Sequence, residues 1–177
     1  MKGVKMKIDE LLGEEINDFV SATKITRTTP FPQANSLDRV LAVVGSMTPR
    51  GIGKPDLLGL GIVNSLRQAD YYMNAAVYLG LAKPMGARFY PTGLAKRLQM
   101  TAGEERLAFM AAVALAHPVV GEVYSNVFLL QTKEERRRYI ASVVDMGASA
   151  RAESTCQRRA DGLYSWLIWI QRHLSVL

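Results

Sequence analysis

Residues 154–170 read Ser-Thr-Cys-Gln-Arg-Arg-Ala-Asp-Gly-Leu-Tyr-Ser-Trp-Leu-Ile-Trp-Ile, a polar half followed by an apolar half. Its Ser-x-x-Gln opening is the pattern of a capping box, in which Ser154 accepts a hydrogen bond from the amide of Gln157. Apolar residues then recur at offsets of three, four and seven, which predicts a helix with one buried face. That face consists of Leu163, Trp166, Leu167 and Ile170. Such a helix packs its aromatic half into a core and presents its arginines outward, as a DNA-recognition helix does.

A second stretch has the same organisation. Residues 65–79 read Ser-Leu-Arg-Gln-Ala-Asp-Tyr-Tyr-Met-Asn-Ala-Ala-Val-Tyr-Leu and open with the same Ser-x-x-Gln pattern. Arg-Gln-Ala-Asp at 67–70 aligns with Arg-Arg-Ala-Asp at 158–161, and an aromatic and apolar face follows both. We therefore expect one architecture used twice, with both cationic helix starts on a common surface.

The residues around this second stretch predict a helix-turn-helix followed by a hairpin. Before residues 65–79, the sequence predicts a capped helix from Asn35 or Ser36 to about Gly45 and a short helix that starts at Pro55. Strand candidates at 81–83 and 88–90 follow, joined by a turn that contains glycine, and a last helix covers 93–100. This order predicts a winged helix.

From residue 101 onward the sequence predicts helices. Apolar spacing indicates helices over 104–116, 119–130 and 133–146, with a break at His117-Pro118 and a further capping box formed by Thr132 and Glu135. The predicted fold class is mainly α, made of tandem winged helix-turn-helix-like units with one small β-hairpin wing. The predicted domains are an N-terminal helix and extended arm over 1–34, a first winged-helix domain over 35–100 and a second helical, winged-helix-like domain over 101–177.

Within the arm, residues 8–20 have helical spacing and residues 21–34 are rich in Thr and Pro. The second segment is either a solvated linker or a basic arm that tracks DNA through Lys24 and Arg27.

Composition narrows the class of protein. The chain has 177 residues, 49% of them hydrophobic, so it can build a packed core. Its net charge of +6 favours a polyanionic partner such as nucleic acid. The single cysteine, Cys156, excludes an intrachain disulfide and suits the cytoplasm, and no apolar run reaches the ~20 residues of a membrane helix.

Several short motifs occur in a fixed order. They are Pro-Phe-Pro-Gln-Ala at 30–34 before Asp-Arg-Val-Leu at 38–41, Arg-Gln-Ala-Asp-Tyr-Tyr at 67–72 with Tyr-Leu-Gly-Leu at 78–81, Ala-His-Pro-Val at 116–119, and Arg-Arg-Ala-Asp at 158–161 before Ser-Trp-Leu-Ile-Trp-Ile at 165–170. Over roughly 31–170 the chain thereby resembles the winged-helix module found beside or within type II restriction endonucleases and other bacterial defence or mobile-element proteins. The resemblance implies DNA binding by tandem winged-helix units, often as the targeting half of a nuclease. Gly59-Leu60-Gly61 departs from the polar second helix of that family, so we expect a short or irregular helix there.

No catalytic constellation is evident in the sequence. A metal-dependent nuclease needs clustered carboxylates and usually a lysine, whereas Glu14, Glu15 and Asp18 have no lysine partner nearby. Two histidines and one cysteine are too few for a zinc site, and a glycine-rich phosphate loop is missing. We expect no enzyme activity, catalytic residue, metal or cofactor in this chain.

The leading hypothesis is double-stranded DNA binding, by the sequence-recognition component of a restriction or defence system. The predicted base-reading residues are Arg67, Gln68 and Asn74 in the first unit and Gln157, Arg158 and Arg159 in the second. The predicted phosphate contacts are Arg50, Lys54, Arg88, Arg136, Arg137 and Arg138. Possible protein partners are a second copy of the chain or a separate nuclease or methyltransferase subunit.

Three alternatives stay open. The protein is a winged-helix transcriptional regulator, or it is a protein-interaction or dimerisation module without DNA binding. The third alternative concerns Arg158, Arg159 and Asp161, which pair locally or with Glu153 instead of contacting DNA.

Overall fold

A computed structural model describes residues 31–145 and 153–174. The predicted helix over 8–20 and linker residues 21–30 lie outside the described residues. The described part of the chain is mainly helical with one small antiparallel hairpin, which confirms the predicted fold class. Its first half consists of α1 (Leu37–Ser46), α2 (Lys54–Gly59), α3 (Leu66–Tyr78), β1 (Ala82–Met85), β2 (Arg88–Pro91) and α4 (Gly93–Met100). Its second half consists of α5 (Gly103–Ala116), α6 (Pro118–Val127), α7 (Lys133–Asp145) and α8 (Glu153–Leu174).

The helices of the first half start where side-chain caps allow it. The hydroxyls of Ser36, Ser65 and Thr92 each accept a hydrogen bond from the backbone amide three residues later. Helix α2 is only six residues long and ends at Gly59, as the glycines at 59 and 61 predict. Gly61 has a φ of +69°, a left-handed conformation that glycine adopts without steric cost.

The hairpin is attached to the loop between α1 and α2. Strand β1 pairs antiparallel with β2, with Lys83 opposite Tyr90. Ile52 adds a bridge on the other side of β2, where its backbone exchanges two hydrogen bonds with Phe89 (2.8 and 2.9 Å). The order of three helices followed by a hairpin agrees with the order predicted from the sequence, and the bridge, which was not predicted, fixes the hairpin beside the helices.

Helix α5 is the central helix of the second half. Every residue from 108 to 115 is buried, as expected of a helix that is apolar all round. The chain bends by 97° between α5 and α6 at His117-Pro118. In the part of the chain that the structure describes, no single helix is long and apolar enough to cross a membrane. Helices α5 and α6 meet that criterion only when taken together across this bend.

Helix boundaries in the second half differ slightly from prediction. Helix α6 ends at Val127 instead of residue 130, because the amides of Leu129 and Leu130 bond to carbonyls three residues earlier and tighten the turn. Helix α8 begins at Glu153, so Ser154 lies inside its first turn. The capping box of Thr132 and Glu135 is confirmed by both of its hydrogen bonds, at 2.9 and 3.1 Å.

One continuous core joins the two halves. Phe31 contacts the rings of Tyr78 on α3 and Trp166 on α8, with ring centroids 5.5 and 4.7 Å apart. At Gly162 of α8 a Cβ would lie 3.2 Å from the carbonyl oxygen of Ala34, so the 31–34 segment packs closely on that helix. The solvated-linker interpretation is therefore wrong for residues 31–34, because Phe31 is an apolar residue that fills the space between the halves. The division at residue 100 stays a prediction.

Candidate nucleic-acid interface

Helix α3 has one exposed face near its start. Arg67, Asp70, Tyr71 and Asn74 lie three or four residues apart, so they share one side of the helix. Arg67 and Asn74 are exposed, whereas the opposite side packs into the core. The face therefore places a guanidinium in the first turn and an amide two turns later, which is the part of a recognition helix that reaches base edges.

Tyr71 orients Arg67. The Nε of Arg67 donates a hydrogen bond to the Tyr71 hydroxyl, and the guanidinium carbon lies 5.6 Å from the centre of the Tyr71 ring. This bond uses one of the five guanidinium donors, and the terminal nitrogens remain for a bidentate contact. The i, i+4 spacing of the two residues is a sequence signal for this contact, and a search for basic residues alone misses it.

Gln68 closes the start of α3. Its side-chain oxygen accepts from the amide of Asn64 at 3.0 Å, and its own amide donates to the hydroxyl of Ser65 at 3.2 Å. Gln68 thus stabilises the helix terminus. Reading a base through the same oxygen would cost that capping bond.

Three of the predicted phosphate-binding residues lie on the segments that flank α3 in the chain. Lys54, the first residue of α2, forms an ion pair with Asp70 of α3. The guanidinium of Arg88 donates to the carbonyl oxygens of Arg50 (3.1 Å) and Gly51 (2.8 Å) and to the carboxylate of Asp56 (3.3 Å). Arg88 therefore holds β2 against the loop before α2. Of the three residues, Lys54 is the one that these contacts place against α3.

A second cluster lies between α7 and α8. Nε of Arg137 lies 3.4 Å from a carboxylate oxygen of Asp161, and the side-chain amide of Gln157 donates to the same oxygen at 3.3 Å. Nε of Arg158 donates to the carbonyl oxygen of Ser154 at 3.2 Å, and Arg158 itself is exposed. Asp161 thus has local partners, as the alternative hypothesis for this segment anticipated.

The surroundings of Arg159 bear on its predicted base-reading role, which stays a prediction. Its Nε is buried, whereas the residue as a whole is half-buried. Offsets of four, seven and eleven place Arg159 on the same helix face as Leu163, Trp166 and Ile170, all of which are fully buried. Arg159 is therefore less accessible to a base than the exposed Arg158.

Arg136 and Arg138 on α7 have different surroundings. Nε of Arg136 donates to the carbonyl oxygen of Leu130 at 3.0 Å, so Arg136 closes the turn between α6 and α7. Arg138 is exposed. Hydrogen bonds from the backbone and side chain of Thr132 hold the pKa of Glu135 below its usual value, and the charge of Arg138 acts in the same direction. Phosphate contacts by these residues stay predictions.

The contacts therefore define two clusters. The α3 cluster is Lys54, Arg67, Asp70 and Tyr71, together with Asn74 on the same helix face, and the α8 cluster is Arg137, Gln157, Arg158 and Asp161. The bonds of each cluster lie within its own half of the molecule, and a common surface for the two stays a prediction. Across residues 31–145 and 153–174, no group of three or more His, Cys, Asp or Glu side chains is placed to hold a metal ion.

Comparison with known proteins gives one family match. A domain of unknown function, DUF7226, matches residues 59–175, which is more than half of the chain and includes α3, the hairpin and all of the second half. No curated protein and no solved structure matches the chain.

Proposed function

We propose that this chain, which belongs to the DUF7226 family, binds double-stranded DNA through the α3 cluster. The observation that supports this function is the exposed face of α3, on which Arg67 and Asn74 project from the start of a helix that follows a tight turn and precedes a hairpin. In the major groove Arg forms bidentate contacts with guanine, and Asn forms them with adenine.

The surroundings of this face suit a nucleic acid. Lys54 lies beside it and carries a positive charge, and the chain has a net charge of +6, which favours a phosphate backbone. The carboxylate of Asp70 offsets part of that charge. For Lys54 to contact a phosphate, its ammonium group must leave the ion pair with Asp70. We assign the α8 cluster at most phosphate contacts, through Arg137 and Arg158, and we assign the same role to the exposed Arg138 of α7.

A duplex-binding titration across salt concentrations tests the proposal. The target is first selected from random duplexes, and affinity is measured by fluorescence anisotropy on the selected site and on an unrelated duplex. Arg67→Ala should weaken binding to the selected site by about 5- to 150-fold, the equivalent of about 1–3 kcal/mol for a lost bidentate contact. Arg67→Lys keeps the charge and should lose most of the discrimination between the two duplexes.

Lys96→Ala is the matched control, because Lys96 is an exposed cation on α4 outside both clusters. It should change affinity far less than Arg67→Ala does. Binding that is absent at every salt concentration, or an Arg67→Ala variant that binds like the unmodified protein, would overturn the proposal.

A protein-interaction module is the second candidate function. Leu58, Leu60 and Leu66 are 41, 61 and 50% exposed around the turn between α2 and α3, directly beside Arg67. An exposed apolar group at that turn is more typical of a protein contact than of a phosphate contact. Loss of self-association in Leu60→Ser, measured by sedimentation without DNA, would favour this candidate.

The biological role within DNA binding is also a proposal. A neighbouring methyltransferase or endonuclease gene would favour a cytoplasmic restriction or defence component that works with a separate subunit. Selection of the chain's own promoter as the target would favour a transcriptional regulator.

A further inference from the structure

Three buried aromatic side chains with polar atoms meet where the two halves join. Tyr78 is the last residue of α3, His117 lies between α5 and α6, and Trp166 is in the middle of α8. Their exposed fractions are 7, 1 and 0%. Phe31 contacts both Tyr78 and Trp166, so the three polar rings belong to one cluster, which we call the junction cluster.

Among residues 31–145 and 153–174, the polar atoms of the junction cluster have no hydrogen-bond partner. The Tyr78 hydroxyl, both ring nitrogens of His117 and the indole nitrogen of Trp166 are buried without a hydrogen bond. Unpaired buried donors and acceptors are rare because burying them without a partner is costly, and bound water is the usual partner when the protein supplies none. Four such atoms in neighbouring rings are unlikely to be independent exceptions.

The geometry brings two of these rings into direct contact. The rings of Tyr78 and His117 are stacked, with centroids 3.9 Å apart and planes inclined by 22°. Their polar atoms therefore lie along the edges of two nearly parallel rings. The bend between α5 and α6 fixes His117 there, since its amide donates to Ala114 and its carbonyl oxygen accepts from Gly121.

The chemistry of the cluster specifies its ligand. Burial lowers the pKa of His117 to about 3, so the imidazole is neutral at pH 7, with one nitrogen donating and the other accepting. The Trp166 indole only donates, and the Tyr78 hydroxyl can do both. Arg159 lies two helical turns before Trp166, a rise of about 10 Å along α8. The complementary ligand is a small neutral molecule that both donates and accepts hydrogen bonds.

We infer that the junction cluster is an internal water-binding site, in which water bridges the Tyr78 hydroxyl to His117 and extends toward the Trp166 indole. This bound water links the last turn of α3 to the helices of the second half. The inference is independent of DNA binding, since it rests on residues outside both cationic clusters.

Tyr78→Phe provides a test because it removes the hydroxyl and keeps the ring. If water bridges the hydroxyl to His117, the change should lower Tm by about 2–4 °C, the shift for one lost net hydrogen bond in a chain of this size. In a His117→Phe background the same change should lower Tm by much less, because the shared water has already lost a partner. Tyr72→Phe is the control, since the Tyr72 hydroxyl donates directly to Asn35 at 2.8 Å and should show a loss that is independent of His117.

A dry junction cluster gives the opposite result. Removing an unpaired buried hydroxyl then relieves a cost, so Tyr78→Phe would leave Tm unchanged or raise it, and the inference would be overturned. A high-resolution crystal structure of the full chain decides the matter even if His117→Phe does not fold. Ordered water at about 2.7–3.2 Å from the Tyr78 hydroxyl and a His117 nitrogen would support the site, and its absence there would refute it.

Discussion

The segments 67–70 and 158–161 occupy equivalent places in their two halves. Arg67 and Arg158 are exposed, and Ala69 and Ala160 are both fully buried. Asp70 pairs with Lys54 of the preceding helix α2, and Asp161 pairs with Arg137 of the preceding helix α7. The internal similarity of the sequence thus has a counterpart in the structure, down to an ion pair with the helix before.

The difference between the segments lies in where each helix begins. Helix α3 starts at Leu66, which puts Arg67 in its first turn, whereas α8 starts at Glu153, which puts Arg158 in its second turn. Base contacts come mainly from the first residues of a recognition helix. The same four-residue pattern therefore lies at the helix start on α3, where the proposed base contacts would be made, and one turn further along on α8, where it contacts α7.

The largest expected effect comes from breaking the junction between the halves. Phe31→Ala removes a ring that is 1% exposed and contacts both Tyr78 and Trp166, so we expect a loss of about 3–5 kcal/mol in the free energy of unfolding. Because one core spans both halves, unfolding should stay a single transition when it is followed by fluorescence and by far-UV circular dichroism.

Met100→Ala is the control for this change, since Met100 is 83% exposed and its truncation should alter stability by less than about 0.5 kcal/mol. Two separate transitions in Phe31→Ala would show that the halves fold independently. That result would support the predicted domain boundary at residue 100.

Acid should weaken the same junction. The pKa of His117 is lowered to about 3 in the folded protein from a usual value of 6.5, so between these values the unfolded chain binds a proton that the folded chain excludes. The contribution of the neutral His117 imidazole to the free energy of unfolding should be complete above pH 6.5 and should fall by about 1.4 kcal/mol for each pH unit below it, down to pH 3. Urea unfolding at pH 7.0 and pH 5.0 measures this slope.

His117→Phe should remove most of that slope, and it retains His173, the other histidine of the chain. The comparison is best made above pH 5, before carboxylates begin to titrate. Equal slopes in the two proteins would mean that the pKa of His117 is the same in the folded and unfolded states, which would contradict the prediction.

Local sequence patterns predicted most of the helices and their caps. Ser65, Thr92 and the Thr132–Glu135 box act within four residues of the chain, so their outcome depends little on the rest of the fold. The burial of Phe31 and the pairing of Asp161 depend on contacts between segments that are distant in sequence, which periodicity does not specify. Arg159 is a different case, because its spacing from Leu163 and Trp166 already placed it on the packed face.

The smallest expected effect on stability comes from replacing the two aspartates, and these variants also test which half would contact DNA under the proposed function. Asp70→Asn and Asp161→Asn each remove an ion pair whose members are 40–45% exposed, so each should cost only about 0.2–1 kcal/mol of stability.

The effects of the two variants on DNA affinity should differ, because Asp70 lies on the proposed reading face and forms an ion pair with Lys54. Releasing Lys54 to a phosphate should strengthen binding to an unrelated duplex and steepen its salt dependence by about 0.9 in log–log slope. Asp161→Asn should leave both quantities unchanged if α3 alone reads the duplex. An equal gain in Asp161→Asn would instead show that the α8 cluster also lies against the phosphate backbone, which would restore the tandem mode of binding that the repeated sequence pattern predicts.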